Sequence, residues 1–160
     1  MIQPDRHKLA EFNMARLIAP QSDPRIADFT QAVDRINGLA ERMPGFVWRL
    51  EGDLEYLLDA KGLLLPNMSV WEDVEALETF VWNTLHRKFY ERRAEWFEVL
   101  GKMHFAMWWV PEDHVPTVGE ALARLEHLET HGDSDHAFGW SYLEEARLWK
   151  THQCSPVAAE

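Results

Sequence analysis

Two polar side chains that could do chemistry stand in a segment that alternates like a β-strand. Between residues 8 and 17, Glu11 and Asn13 fall on the face opposite Phe12 and Met14. If Phe12 and Met14 pack against helices, Glu11 and Asn13 face an enclosed interior. There an amide can bind a carbonyl or peroxide oxygen, and a carboxyl whose pKa is raised by burial can act as a base. An exposed strand face or a structural hydrogen-bond network is the alternative.

His86 stands in a predicted helix on a stripe of aromatic residues. Trp82 and Tyr90 lie one turn before and after it, and Arg93 follows on the same stripe. A neutral imidazole in an aromatic pocket can move protons or ligate haem iron, and nearby arginines can pair with carboxylates. The alternative is a hydrogen-bonded histidine at a subunit interface. We therefore predict four candidate catalytic residues: Asn13, His86, Glu11 and Tyr90.

Tryptophan is unusually frequent, with eight residues in a chain of 160. Trp48, Trp71 and Trp108 fall in three predicted strands, and a cavity walled by indoles suits a flat aromatic ligand. We predict Trp48, Trp71, Trp82, Trp108 and Arg93 as ligand-binding residues. Each indole could equally serve core packing, because tryptophan buries a large apolar area.

A second group of candidates is weaker. His127 and His131 are one helical turn apart, as in some metal sites, but they lack the HExxH arrangement. They also lie opposite Leu125 and Leu128, so we expect a solvated helix face. The sequence contains no glycine-rich phosphate loop, no CxxC pair and no GxSxG elbow, and Cys154 has no predicted base partner.

The elements that position these residues belong to one predicted domain, 1–160, with a core at 7–143 and a tail at 144–160. Apolar periodicity and capping residues predict strands at 8–17, 46–51, 63–71, 104–110 and 137–143, and helices at 24–43, 73–100 and 117–132. Asp73 and Thr117 are the predicted N-caps of the last two helices. The order β-α-β-β-α-β predicts an α+β fold: a ferredoxin-like split βαβ unit with an antiparallel sheet, extended by a C-terminal helix and strand. Phe46 and Trp48 are expected to share a face.

Such a sheet needs cover on both faces. Helices cover one face, and the other is expected to carry Trp48 together with Trp71 or Trp108. Pairing two sheets face to face would cover it and make a homodimer with C2 symmetry. Asn13 and Glu11 would then line the interior of a dimeric α+β barrel.

Composition excludes several classes of partner. With 16 basic and 27 acidic residues, the net charge of −11 repels nucleic-acid phosphates and anionic lipid headgroups. The N-terminus has no apolar signal core, and no stretch reaches the run of about 20 apolar residues that spans a bilayer. A single cysteine allows no disulfide within the chain. We therefore expect a cytoplasmic protein that binds neither nucleic acid nor membrane.

Four segments within residues 7–140 resemble one bacterial family: AEFNMARL, PGFVWRL, NMSVWEDVEALETFVWNTLHRKFYERRAEWF and WWVPEDHVPTVGEALARLEHL. The family is a domain of unknown function, and the resemblance places it in the dimeric α+β-barrel superfamily, beside the antibiotic-biosynthesis monooxygenases. The resemblance implies that fold and carries no assigned activity. The segment after Trp140 departs from the pattern.

A looser similarity concerns the haem-degrading monooxygenases of that superfamily. They use an asparagine on the first strand, a tryptophan, and a histidine on the second long helix, and Asn13, Trp71 and His86 are similarly placed. His86 lies about one turn earlier than a gapless alignment would put it, and Phe80 or Trp82 occupies the position nearest their tryptophan. The superfamily's cofactor-free, quinone-forming monooxygenases rely on asparagine, tryptophan and tyrosine in the same cavity.

Three functions follow as hypotheses. The first is a cofactor-independent, monooxygenase-like enzyme or binding protein that holds a hydrophobic aromatic molecule, with the enzyme class implied by the resemblance alone. The second is a haem protein with His86 as the axial ligand, which is the one metal ligand we predict. The third is a non-catalytic, dimeric ligand-binding module.

Overall fold

The computed structural model describes residues 1–52, 61–100 and 104–151, so Cys154 and the end of the predicted tail lie outside it. The described chain forms five strands and five α-helices, in the order β1 (His7–Leu17), α1 (Ala27–Ala40), β2 (Phe46–Arg49), β3 (Leu64–Trp71), α2 (Val74–Asn83), α3 (Leu85–Glu91), β4 (Phe97–Glu98), β5 (Phe105–Pro111), α4 (Val118–His131) and α5 (Arg147–Thr151). Asp73 caps α2 and Thr117 caps α4 as predicted, each accepting a backbone N–H with its side-chain oxygen.

One antiparallel sheet organises the molecule. The strand order is β2-β3-β1-β5, and the short β4 pairs with the end of β1. This confirms the predicted α+β class with an antiparallel sheet, and the order is that of a split βαβ unit. Central strand β1 places Glu11 opposite Ser69 and Asn13 opposite Asn67 on β3.

Both faces of the sheet are buried within the chain. One face carries Leu9, Trp71 and Met107 and packs against α1, α2 and the C-terminal segment. The other carries Phe12 and Trp108 among its buried residues and packs against α4. A second subunit is therefore not needed to cover this face, because α4 supplies the cover that a partner sheet was expected to give.

The predicted long helix 73–100 is broken at Thr84. Its backbone is extended, with φ −120° and ψ −174°, which ends α2 and begins α3. The Thr84 hydroxyl donates to the carbonyl oxygen of Phe80 at 2.6 Å and accepts the backbone N–H of His86 at 3.1 Å. Threonine competes with the helix through such local bonds. The apolar stripe that predicted one helix over 73–100 does not report hydrogen bonds of a polar residue, so it did not predict the break.

Two smaller predictions fail for local reasons. The predicted strand 137–143 is reduced to one bridge between Phe138 and Met107, followed by a 3₁₀ turn at Trp140–Tyr142. A β-bulge between Phe46 and Trp48 sends these side chains to opposite faces of the sheet.

The C-terminal helix α5 is docked by a buried carboxylate. Glu78 of α2 accepts the backbone N–H groups of Arg147, Leu148 and Trp149 at 2.9, 3.2 and 2.8 Å. A carboxylate at a helix N-terminus satisfies amides that have no partner inside the helix. None of the helices in the described ranges has the length and apolar character needed to cross a bilayer.

Candidate functional site

The strand register assembles a polar cluster around Glu11. Ser69 Oγ donates to Glu11 Oε1 at 2.7 Å, and Asn67 Nδ2 donates to the same oxygen at 3.3 Å. Asn13 Nδ2 donates to Oε2 at 3.2 Å. Glu11 is only 5% exposed, whereas Asn13 is half-buried and Asn67 is exposed. The cluster therefore runs from the interior of the sheet to the solvent.

Trp71 fixes the orientation of the Ser69 hydroxyl. The indole Nε1–H donates to Ser69 Oγ at 2.8 Å, so the hydroxyl proton is left to donate to Glu11. Trp71 is fully buried, between Phe46 at a ring distance of 5.4 Å and Phe80 at 5.2 Å. The Trp71 indole, the Ser69 hydroxyl and the Glu11 carboxyl thus form one hydrogen-bonded chain, held at the Trp71 end by aromatic packing.

Burial changes the acidity of this carboxyl. Loss of solvent raises the pKa of Glu11 to about 7, against the smaller lowering effect of the bonds from Ser69 and Asn13. Over the described residues, no lysine, arginine or histidine forms an ion pair with it. Near neutral pH the group therefore exists in both protonation states, as a proton-transfer residue requires.

His86 lies in a separate aromatic cluster. Its ring is 4.9 Å from Phe80 and 6.5 Å from Tyr90, and Nδ1 lies 3.4 Å from the carbonyl oxygen of Val81. Burial lowers the pKa of His86, and the bond to Val81 acts weakly in the opposite direction. The imidazole is therefore neutral at pH 7.

The predicted stripe on α2 and α3 forms despite the break at Thr84. Trp82 packs edge-on against Tyr90 at 5.4 Å, and the Arg93 guanidinium stacks over Tyr90 at 4.3 Å. The neighbouring Arg87 and Arg92 already pair with carboxylates, of Glu91 in the first case and of Asp28 and Glu95 in the second. These two arginines are therefore engaged within the chain.

The structure brings the predicted site residues into two groups. Glu11, Asn13 and Trp71 share the polar cluster, and Trp82, His86, Tyr90 and Arg93 share the aromatic cluster. The connection between the groups passes from Trp71 through Phe80 to His86, so two aromatic rings separate the carboxyl from the imidazole.

Trp48 and Trp108 belong to neither group. Both pack into the core under α4, on the sheet face opposite Trp71. Trp108 is fully buried and donates its Nε1–H to Glu120 at 3.0 Å. Of the two expected partners of Trp48 on its sheet face, Trp108 is therefore the one found there, whereas Trp71 lies on the opposite face and does not line a common cavity with them.

A protein family and a solved structure match this chain. A family described as a domain of unknown function, DUF3291, matches residues 8–154. The chain belongs to the DUF3291 family. No curated protein matches it. A solved structure, a protein of unknown function (NE2512) from Nitrosomonas europaea, aligns with a TM-score of 0.45 and 13% identity, over 71% of this chain and 97% of its own.

Two residues of the candidate site in this DUF3291 chain, Ser69 and Asn67, were not predicted from the sequence, and Phe80 was named there only in the comparison with the haem-degrading enzymes. Alternation along β3 already groups 67, 69 and 71 on one face, which was an available signal. Only the register between β1 and β3 reveals that these residues meet Glu11 and Asn13, and a one-residue slip would have reversed the result.

Two surface grooves of the DUF3291 chain lie away from the polar cluster. A groove of about 530 Å³ is lined by Trp82, Asn83, Thr84, Arg87, Lys88 and Glu91. Another of about 580 Å³ runs along the edge strand β2, from Phe46 to Glu51, with Glu41 beside it. Neither is lined by Glu11, Asn13 or His86.

Metal binding has no support in the part of the chain that the structure describes, which contains no group of three or more metal-ligating side chains suited to an ion. The rings of His127 and His131 stack at 4.4 Å instead. His127 Nε2 lies 3.1 Å from Ser134 Oγ, and His131 Nδ1 lies 3.1 Å from the His127 carbonyl oxygen.

Proposed function

We propose that this DUF3291 chain binds a small aromatic molecule beside Asn13 and Asn67, and that Glu11 takes a proton from it. The observation that carries the proposal is a buried carboxyl, with a pKa raised to about 7, held by three neutral donors. Structural carboxyls are usually solvated or paired with cations, whereas a base that works near pH 7 needs this kind of environment.

The surroundings of Glu11 support access and a hydrophobic contact. Phe105 of β5 lies directly across from Asn13, and Trp140 stacks on Phe105 at 6.0 Å with nearly parallel rings. Both rings are half-buried, and Asn67 on the opposite side is exposed. An aromatic ligand that packs on Phe105 and Trp140 would place its polar group near the two amides.

The proposal needs one chain only, since the carboxyl, its donors and the aromatic pair all belong to the same molecule. The homodimer and the cytoplasmic location predicted from the sequence are separate proposals. A monooxygenase-like oxidoreductase, as the resemblance implies, is a narrower version of the same function, and no contact of Glu11 selects oxidation over simple proton transfer.

Haem binding is not favoured by the residues expected to hold the group. The ring distances of 5.2 Å between Trp71 and Phe80 and of 4.9 Å between Phe80 and His86 are those of rings in contact. Phe80 fills the space between Trp71 and His86, so a macrocycle could enter only if Phe80 left. An absorption spectrum of protein incubated with haemin, compared with His86→Ala, tests this directly; a Soret band that depends on His86 would restore the haem proposal.

The proton-transfer proposal can be tested with 5-nitrobenzisoxazole, a neutral flat aromatic probe. A base removes its ring C–H proton, the C–H electron pair completes a nitrile, and the N–O bond breaks to leave a coloured cyanophenolate. We expect the rate to rise with pH through about 7, as Glu11 ionises. Glu11→Gln should lose this rate. The side chain of the exposed Glu126 makes no hydrogen bond or ion pair with the described residues, so Glu126→Gln should behave like the wild type. Equal rates in wild type and Glu11→Gln, including no turnover by either, would contradict the proposal.

A further inference from the structure

We infer that the ligand of the Glu11 cluster is an arylalkylamine, an aryl group joined to an aliphatic amine, in its positively charged ammonium form. The inference rests on the proposed function and narrows its ligand class. It is based on the charge of the cluster, the direction of its two amides and the adjacent aromatic pair.

The charge of the cluster is uncompensated when Glu11 ionises. Ser69 and Asn67 contact the carboxyl from β3 and Asn13 contacts it from β1, and all three are neutral. Met107 lies opposite Glu11 on β5. Among the titratable groups of the elements packed on this sheet face, His86 lies beyond Trp71 and Phe80, Tyr142 lies beyond Phe138, and Glu78 accepts the amides of α5. None of the three forms a hydrogen bond or an ion pair with Glu11 in the described ranges. A ligand that carries a positive charge would supply the missing partner.

The amides of Asn13 and Asn67 present hydrogen-bond acceptors to such a ligand. Each amide directs its nitrogen at Glu11, which turns its carbonyl oxygen away from the carboxylate. Neither oxygen accepts a hydrogen bond from any residue in the described ranges. A primary ammonium group has three N–H donors, and the cluster offers one carboxylate and two amide oxygens as acceptors.

The aromatic pair accounts for the rest of the ligand. Phe105 and Trp140 stack beside Asn13 and leave part of each ring exposed. Such rings pack against an aryl group and also attract a cation placed over a ring face. A carboxylate ligand, in contrast, would be repelled by ionised Glu11, and the net charge of −11 favours cations over the whole surface.

The test follows the Glu11 carboxyl by ¹³C NMR, in protein labelled at the glutamate side-chain carbon, with the resonance assigned by its absence in Glu11→Gln. The titration is recorded alone and with benzylamine, benzyl alcohol or benzoate, each at the concentration that saturates benzylamine binding; the three share one ring and differ in charge. Benzoate, which ionised Glu11 repels, should leave the midpoint unchanged. We expect benzylamine to move the midpoint down by about one pH unit, a tenfold loss in proton affinity, because a nearby cation favours the carboxylate. Benzyl alcohol should leave the midpoint unchanged. Asn67→Ala should reduce the benzylamine effect.

The possible results distinguish a failure of the amine assignment from a failure of the proton-transfer proposal. A midpoint near 7 that benzylamine does not move, or that benzyl alcohol moves equally, would overturn the amine assignment and leave the proton-transfer proposal standing. A midpoint at the ordinary carboxyl value without any ligand would overturn both.

Discussion

The raised pKa of Glu11 follows from its burial among neutral hydrogen-bond donors. Three hydrogen bonds hold the carboxyl in place, yet the loss of solvent outweighs them and keeps the neutral form populated near pH 7. Ionising a carboxyl in that environment costs folding free energy, so the same residue that could accept a proton from a ligand also destabilises the folded protein at high pH.

The first residue-scale prediction concerns stability against pH. The folded-state pKa of about 7 lies above the ordinary value of 4.5, so the stabilising contribution of Glu11 is complete below pH 4.5 and is lost as pH rises through 7. Relative to wild type, Glu11→Gln should therefore gain up to about 3 kcal/mol between pH 4.5 and pH 8, at 1.36 kcal/mol per pKa unit. Urea denaturation of both proteins at the two pH values measures this. A difference that does not change with pH would show that the carboxyl ionises normally.

The second residue-scale prediction concerns the Ser69 hydroxyl. Ser69→Ala leaves the buried Trp71 N–H without its acceptor and removes one donor from Glu11. We expect a loss of about 1–3 kcal/mol in the free energy of unfolding. The pH midpoint of turnover of 5-nitrobenzisoxazole should also rise, because the Ser69 bond lowers the pKa of Glu11. Ser22 is exposed and its hydroxyl makes no hydrogen bond within the described ranges, so Ser22→Ala is the matched control. An unchanged midpoint would remove Ser69 from the positioning of Glu11.

At the scale of elements, capping residues and strand alternation were reliable signals, whereas features set by strand pairing or by one polar side chain inside a helix were not. Caps at Asp73 and Thr117 and the alternation of β1 depend on neighbouring residues, and the structure confirms them. The break at Thr84 depends on hydrogen bonds of one polar side chain, to Phe80 and His86, which an apolar stripe does not report. The β-bulge in β2 depends on the pairing of this strand with β3, which periodicity does not report either. For the same reason Glu11 and Asn13 could be named from the sequence, whereas Ser69 and Asn67 required the strand register.

Thr84 allows a test of the helix break. Thr84→Ala removes the oxygen that caps α3, and we expect it to cost about 1 kcal/mol in denaturation experiments. Thr84→Ser keeps the oxygen and should recover most of that loss. If both variants are as stable as the wild type, the cap does not hold the junction between α2 and α3.

Glu78 allows a test of the C-terminal segment. Glu78→Ala removes the acceptor for three backbone amides at the start of α5, so hydrogen exchange at Arg147, Leu148 and Trp149 should accelerate well before exchange in the central strands. Glu78→Gln retains one acceptor oxygen, so its exchange rates at these three amides should lie between those of the wild type and of Glu78→Ala. Uniform acceleration across the whole chain would indicate that Glu78 supports the entire core instead.

At the scale of the whole molecule, α4 changes the interpretation most. The sequence pattern predicts this helix but does not reveal the sheet face on which it packs, and for that reason a partner subunit was expected to cover the second face. With Phe12 and Trp108 buried under α4, the polar cluster faces the chain's own helices α1 and α2. The proposed site therefore draws all of its residues from one chain.

This completeness gives a prediction about concentration. Turnover of 5-nitrobenzisoxazole per chain should stay constant on dilution, whatever oligomer forms, because one chain supplies Glu11 and every donor to it. Light scattering after size exclusion, run at the same concentrations, reports the oligomeric state. A rate per chain that falls as a dimer dissociates would show that a second subunit completes the site.

The measurement closest to the central claim is the ¹³C NMR titration of the Glu11 carboxyl in the protein without any ligand. Burial among neutral donors predicts a midpoint of about 7, with the resonance missing from Glu11→Gln. A midpoint near 4.5 would mean that the carboxyl is already ionised and solvated at neutral pH, and the proposed base would not exist.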